Sequence, residues 1–593
     1  MRSPMAAEIA RSFSQLEQLK EAWDRLAASR PRPEVFHTFA WAKAWWEGYG
    51  REYEVFTPVI RDAGGEVVAI WPLVRRNLEL RPLGDGASDH NDLLASPENA
   101  QAAFGAAIDL LAEHREAWKT GIIRNVSARG VLLEAARRMA GHARVQAVIV
   151  QAGKGWAAVA EDGQHFLRLA RKDSLRRHRK RLERLGRVTF RHIENIEEIP
   201  AHLGAFQRQH IERWALKGVK SHFLDEASRR YYAALADHLS ACGPLRFGVL
   251  EVEGRPAAYH LGFESAGRYV WYKPTFDVDL AESGPGEVLL QSVLQYCASA
   301  NIEELDFTIG DEQYKSRFSN LTYDYHEIHL FSRRCAKQYL LRARERLKKH
   351  PVLYAWLRSR WNRSSEWLQR LGRALQRDGL AGFAGKRLRQ LVRAFVFRRD
   401  EVIVYRLSDR EAIRGDACRP DIEIAPLRFS LLAETALKHP EQLHPDRLRS
   451  FRERMTAGDR GFVALYRGHV AHIIWIGGRT EIVAGTETGP HCVLPLGREV
   501  SVIHDAWTPD EFRGLGIYKA ALQFLARKEL DSGREVWIYC LKENSASRAA
   551  ICKTGFTETA RMVRILWFGR IERRRITRRE SSEANRPGLP GAG

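Results

Sequence analysis

An arginine, two glycines and the start of a helix stand together at Arg513-Gly514-Leu515-Gly516-Ile517-Tyr518, directly after the alternating segment "REVSVIHDAW". A helix start has backbone N–H groups without intrahelical acceptors and the positive end of the helix dipole, which suits it to phosphate oxygens. Glycines at 514 and 516 remove side chains that would hold a diphosphate away from the amides of Ile517 and Tyr518. Arg513 adds a charge-assisted hydrogen bond. Ile517, Ala521, Phe524 and Leu525 then form an apolar stripe for packing on a sheet, and "DSG" at Asp531 to Gly533 ends the helix. The chemistry suited to this corner is the binding of a diphosphate, such as a carrier in group transfer could present, and the bland alternative is a glycine turn that merely packs closely. An amine acceptor is protonated at pH 7, so such transfer needs a base, and the developing oxyanion needs N–H donors. The preceding strand offers Glu499, His504 and Asp505. Alternation sets Glu499, Ser501, Ile503 and Asp505 on one face and Val500, Val502 and His504 on the other. A bulge would break that parity, so Asp505 and Glu499 rank only narrowly ahead of His504. Tyr539 and Tyr518 are the candidate acids.

The elements that would position these residues recur along the chain. Three segments read as β-hairpins around a glycine turn: "YEVFTPVIRDAGGEVVAIWPLV", "LRFGVLEVEGRPAAYHLGF" and "GFVALYRGHVAHIIWIGG", with turn glycines Gly65, Gly254 and Gly468. Their spacing suits repeated domains rather than a solenoid. The second and third hairpins each continue into strand, glycine turn, amphipathic helix and apolar strand. Laying Ala281 on Arg513 puts Gly284 on Gly516 and Gly286 on Tyr518. Gly284 and Gly286 therefore mark a second candidate carrier corner, without the arginine. After the apolar strand "IEELDF" come Asp306, Gly310, Asp311, Tyr314 and Lys315, a polar cluster where a cleft would expose substrate-binding groups; Lys273 and Asp277 flank the strand before the glycine loop. In "SDHNDLL", Asp89, His90 and Asp92 read as a solvated turn with aspartate capping, in preference to a metal site.

Residues 400–570 resemble GNAT-fold acyltransferases. The arginine–glycine loop is similar to that family's coenzyme A diphosphate motif, and "ENSASRAAICKTGF" to its following Asn-x-x-Ser…Gly-Phe segment, which implies Asn544 at the cofactor site. Tyr518 stands where the family usually has Gly or Ala, and Ile551 where a tyrosine often protonates the leaving thiolate. Residues 30–320, through "FHTFAWAKAWWEGYG", "AIWPLV", "GDGASDHNDLL", "GRYVWYKPTFDVDLAESGPGEVLLQ" and "LDFTIGDEQYKSRF", resemble the CelD/BcsL-type family. That family is similar to FemAB-type transferases with two GNAT-like modules side by side. The resemblance implies an α/β (α+β) protein of tandem GNAT-like modules, each a mixed twisted sheet flanked by helices. They would cover 1–155 (degenerate), 156–332 and 400–575, joined by a basic linker at 333–399 and followed by a disordered tail at 576–593. It implies acetyl-CoA or another acyl-CoA as co-substrate, no metal, an amine or hydroxyl acceptor such as a small molecule or saccharide, and a role in cellulose, exopolysaccharide or cell-envelope synthesis. FemAB-like transfer from aminoacyl-tRNA is the rival enzymatic reading, and a non-catalytic scaffold at a membrane surface the non-enzymatic one.

The bulk numbers frame these readings. At 593 residues the chain needs several domains. Seven scattered cysteines form no CxxC pair, which suggests neither zinc nor a disulfide framework and fits a reducing cytoplasmic setting. The first residues lack an apolar h-region, so no signal peptide is expected. The net charge of +21 is concentrated: Arg333 to Arg399 holds 20 Lys or Arg against three acids, which leaves +4 for the rest. That run, with apolar residues at near-helical spacing, reads first as a helical connector, next as a contact with anionic membrane. Nucleic acid is the least favoured partner. Arg168 to Arg187, ten Lys or Arg and two acids, reads as an amphipathic helix that steers anions or is simply a solvated face.

Overall fold

The computed structural model describes residues 5–348, 397–567 and 570–578, apart from 31, 140–143, 242, 311, 415–419 and 485–491. Most of the expected connector, Asp311 and the tail from 579 lie outside the described residues. The chain falls into two units, 1–214 with 220–357, and 215–219 with 358–593.

In the first unit, β1 (Gln146–Val159) precedes helix α1 (Asp173–Glu183), β2 (Val188–His192), β3 (Leu245–Val252), β4 (Arg255–Ser265) and β5 (Arg268–Phe276). Helix α2 (Pro285–Ser299), β6 (Glu304–Ile309) and β7 (Leu321–Phe331) follow. They order as β2-β3-β4-β5-β6-β1-β7, and the sheet continues through Thr120–Ser127, Glu79–Pro82, Leu73–Arg76 and Glu54–Val55 to eleven strands. A further four-stranded sheet holds Ala6–Ala10, Thr57–Arg61, Val67–Ile70 and Leu94–Ala95.

The second unit repeats the pattern. It has β8 (Phe397–Leu407), β9 (Ile422–Pro426), α3 (Pro445–Thr456), β10 (Arg460–Tyr466), β11 (His469–Ala484), β12 (Cys492–Trp507), α4 (Ile517–Asp531), β13 (Val536–Leu541), α5 (Ser545–Thr554), β14 (Thr557–Trp567) and β15 (Arg570–Arg578). The order is β9-β10-β11-β12-β13-β8-β14-β15. In both units the strand that precedes the module in sequence is inserted between two later strands, β1 between β6 and β7 and β8 between β13 and β14. This corrects the expected boundary at 155/156, which cuts through β1. It also shortens the expected disordered tail: residues up to Arg578 pair with β14, and an outer strand carrying exposed arginines satisfies its backbone on one side while its charges discourage further pairing.

All three glycine turns adopt the positive φ that the hairpins require, 84° at Gly65, 71° at Gly254 and 81° at Gly468. Each repeat also contains one brief parallel pairing. β5 meets β6 only over Arg268–Val270 and Glu304–Asp306, and β12 meets β13 only over Ser501–Ile503 and Val536–Ile538. Beyond these three residues the strands diverge. The cause is visible in the register: β12 bulges between its partners Ile473 and Trp475, with Asp505 at φ 45°, and β5 bulges between Leu261 and Phe263. Helix α4 closes one face of the second sheet with Ala521, Leu522 and Leu525 against Ile503 and Ile538, while Val500, Val502, Val404 and Met562 form the core of the other face.

Candidate active site

The Arg513 corner opens into a cavity of about 690 Å³ in the second unit. Gly516 caps α4 in the left-handed conformation, φ 77° and ψ 2°, as the loop reading requires. Gly514 is also left-handed, and a side chain built on it would meet nothing within 4 Å. The Ala520 N–H donates to Gly516 O at 3.1 Å, so the amides ahead of it have no carbonyl four residues back and are available to a ligand. Arg513 is largely exposed, its guanidinium 2.7 Å from Asp510, and such an exposed pair is easily exchanged for a phosphate. The N-terminus of α5 reaches the same cavity: Asn544 caps it by accepting from the Ser547 N–H at 3.0 Å, and Asn544, Ala546 and Ser547 line the wall. Ala506, Trp507 and Thr508, at the end of β12 beyond the bulge, form the floor. Arg513, Gly514, Gly516, Ile517, Tyr518 and Asn544 are thus brought together, as their spacing implies.

One lining residue was not legible in the sequence. His472 on β11 is fully buried, its Nδ1 2.8 Å from Thr508 Oγ1, and burial pushes its pKa down to about 3. Its ring lies 5.1 Å from that of Tyr518. The Tyr518 hydroxyl shares a 3.2 Å hydrogen bond with Ser547 Oγ, and burial pushes its pKa up to about 12. Ile551, in the place of the family's frequent acid, is buried in the core of α4 and α5.

The candidate bases separate clearly. Glu499 is exposed and lies ahead of the parallel pairing, away from the point where the strands part. Asp505 sits on the bulge, but both carboxylate oxygens are occupied, by Arg447 at 3.0 Å and by Arg454 of the same helix, α3. His504 shares the strand face of Val500 and Val502, opposite α4, at the first position past the parallel pairing. Its Nε2 lies 3.2 Å from Asp459 Oδ2, and Arg479 holds the same oxygen at 2.7 Å. Burial lowers the pKa of His504, and Asp459 opposes that shift. The imidazole is therefore neutral at pH 7 and lies beside a buried carboxylate. Tyr539, on β13, is held protonated by burial and by the nearby Asp505. Asp459 follows Gly458 in a segment that reads as an ordinary turn, and only the long-range pairing of β10, β11 and β12 brings it to His504.

The first unit differs at the matching corner. Gly284 caps α2 with φ 70° and ψ 45°, the counterpart of Gly516. The His178 imidazole of α1 packs on it so closely that a Cβ would collide with Nδ1, and Gly286 abuts Phe276. Helix α1, with Leu175 and Leu182 buried, therefore closes the amide corner in this structure. The remaining candidates are structural in position. Lys273 Nζ lies 4.4 Å from the centre of the Tyr272 ring, Tyr314 accepts from Trp271 Nε1 at 3.1 Å, and the buried Lys315 donates to Ile309 O at 2.7 Å. Asp306 is buried and accepts from the Tyr323 hydroxyl at 2.7 Å. His90 and Asp92 correct the solvated-turn reading. His90 lies between Glu34, at 3.1 Å, and the Tyr325 hydroxyl, at 2.7 Å, and Asp92 accepts from the Leu132 N–H at 2.7 Å and pairs with Arg30. Both side chains are buried among partners from distant parts of the first unit and not solvated. Among the described residues, no group of three or more His, Cys, Asp or Glu is placed to hold a metal ion, and no helix is long and apolar enough to cross a membrane.

Residues 170–316 match the family model described as an acetyltransferase (GNAT) domain. Over that segment the chain is similar to GNAT acetyltransferase domains, and the fold is one of mixed sheets flanked by helices. No curated protein matches the chain. Among solved structures it is similar to FemX, with a TM-score of 0.40 and 10% identity over 52% of this chain and 95% of that one. It is also similar to a tandem GNAT protein from the clavulanic acid biosynthesis pathway, with a TM-score of 0.32 and 13% identity over 55% and 98%. A GCN5-related N-acetyltransferase from Sphaerobacter thermophilus gives a TM-score of 0.27 and 13% identity over 56% and 98%. These likenesses are too distant to bear on activity.

Proposed function

We propose that the protein transfers an acyl group from an acyl-CoA, acetyl-CoA in the simplest case, to an amine or hydroxyl acceptor, and that the donor binds in the second unit. The observation that carries this reading is the cavity on which Arg513, the bared amides of α4 and the capped N-terminus of α5 converge. A diphosphate at α4 leaves the carrier's arm to run along Thr508, Trp507 and Ala506 towards the parting of β12 and β13. The bulge at Asp505 leaves backbone amides outside the strand ladder, the type of donor an oxyanion needs. On the opposite face, neutral His504 takes the proton of the attacking nucleophile while Asp459 stabilises the imidazolium that forms. The resemblance of residues 30–320 to the CelD/BcsL-type family supports a saccharide acceptor in polysaccharide or envelope synthesis. The scattered cysteines support a cytoplasmic location, and the basic run 333–399 supports contact with anionic membrane.

The test is a calorimetric titration of the full chain with acetyl-CoA, followed by thiol release with a panel of amines and amino sugars. One donor per chain is expected, because the Gly284 corner is closed. Absence of binding at millimolar donor, with binding of aminoacyl-tRNA in its place, would overturn the reading.

A further inference from the structure

A leaving thiolate needs a proton, and the position where a tyrosine often supplies it holds Ile551, a buried hydrocarbon. We infer that Tyr518, on the first turn of α4, is the acid in this protein, with Ser547 as its relay to water. The assignment rests on the acyl-CoA reading above.

Three observations place the hydroxyl. Tyr518 lines the same cavity as the diphosphate corner and the N-terminus of α5. Its hydroxyl reaches across to Ser547 Oγ, 3.2 Å away, and so bridges the two helices that flank the path of the carrier's arm. Ser547 in turn interacts with the thiol of Cys540, on β13 two residues beyond the last parallel-paired residue, Ile538. The Tyr518–Ser547 pair therefore stands where β12 and β13 separate, the point a thioester must reach to meet His504 on the other face. The ring packs against that of His472, 5.1 Å between centroids. Burial keeps the phenol protonated throughout the physiological range.

The step balances as follows. The acceptor nitrogen or oxygen forms its bond to the thioester carbonyl carbon and loses a proton to His504. The carbon–sulfur bond then breaks, and its electron pair goes to sulfur. The Tyr518 proton passes to that sulfur, and the phenolate recovers a proton through the Ser547 hydroxyl from water. His504 releases its own proton to solvent.

The experiment compares full-length wild type with Tyr518→Phe, using acetyl-CoA as donor and hydroxylamine as probe acceptor, and reads CoA affinity and thiol release separately. Tyr518→Phe should bind CoA within about threefold of wild type and lose about 100-fold in kcat, the lower end of general acid catalysis. With an oxygen-ester analogue of acetyl-CoA, whose leaving group is more basic, the deficit should grow; a merely structural role would leave it unchanged. Ser547→Ala should give a smaller loss of the same kind. A Phe variant that keeps kcat, or that loses affinity and rate together, overturns the assignment while leaving the donor site intact. A wild type that neither binds CoA nor releases thiol overturns the acyl-CoA reading and this assignment with it.

Discussion

Replacing His472 with glutamine puts a magnitude on the burial that shapes the cavity floor. The ring is sealed beneath Tyr518 with its pKa moved from 6.5 down to about 3, and burial is the cause. Between these values the unfolded chain binds a proton and the folded chain does not. Stability is therefore complete above pH 6.5 and falls as the pH drops towards 3. Each pH unit in that window costs about 1.4 kcal/mol. At pH 5 the second unit should have lost about 2 kcal/mol through this one residue. Glutamine can still accept the Thr508 hydroxyl but does not titrate. Native-state hydrogen exchange of the β12 amides, at pH 7.5 and 5.0 with intrinsic exchange rates corrected, reads the opening free energy directly. The variant should lose about 2 kcal/mol less than wild type between the two pH values. Equal acid sensitivity in both chains would refute the argument, because it would mean that the imidazole is solvated or already protonated in the folded unit.

Other outcomes follow from the same geometry. Arg513→Ala should weaken CoA binding by about 1.5–3 kcal/mol, the value of a hydrogen bond to a charged group, without changing stability, since the side chain is exposed; isothermal titration measures it. Because burial lowers the His504 pKa, the rising limb of kcat/KM should lie below pH 6.5 and the rate should be flat above it. Asp459→Asn removes the carboxylate that raises this pKa, so the limb should move to lower pH while the plateau falls; a limb that stays in place would dissociate Asp459 from the base.

The parts of the fold legible in the sequence are those whose signal is local. The glycine turns, the left-handed caps at Gly284 and Gly516, and the stop at "DSG" each need only a few neighbouring residues, and Gly533 indeed takes φ 76° after α4. The module boundaries were less accessible, because β1 and β8 enter their sheets between strands that come more than 100 residues later, a pairing that no local periodicity records. The same holds for the site. The diphosphate corner lies in one short stretch and can be read directly, whereas the His504–Asp459 pair spans three strands. The closure of Gly284 by His178 depends on the packing of α1 on α2, and the burial of His90 depends on partners at 34 and 325. A cluster of Asp and His looks solvated in sequence until its distant partners are known.

The central claim is that the amides at the start of α4 hold the donor's diphosphate. Hydrogen–deuterium exchange of the full chain, with and without saturating acetyl-CoA, tests it at the residues concerned. The account predicts slowed exchange across Gly514 to Lys519 and at Ser545 to Ser547, with no change at Gly284 to Val288. Protection at the Gly284 corner, or none at either glycine loop in the presence of bound donor, would contradict it.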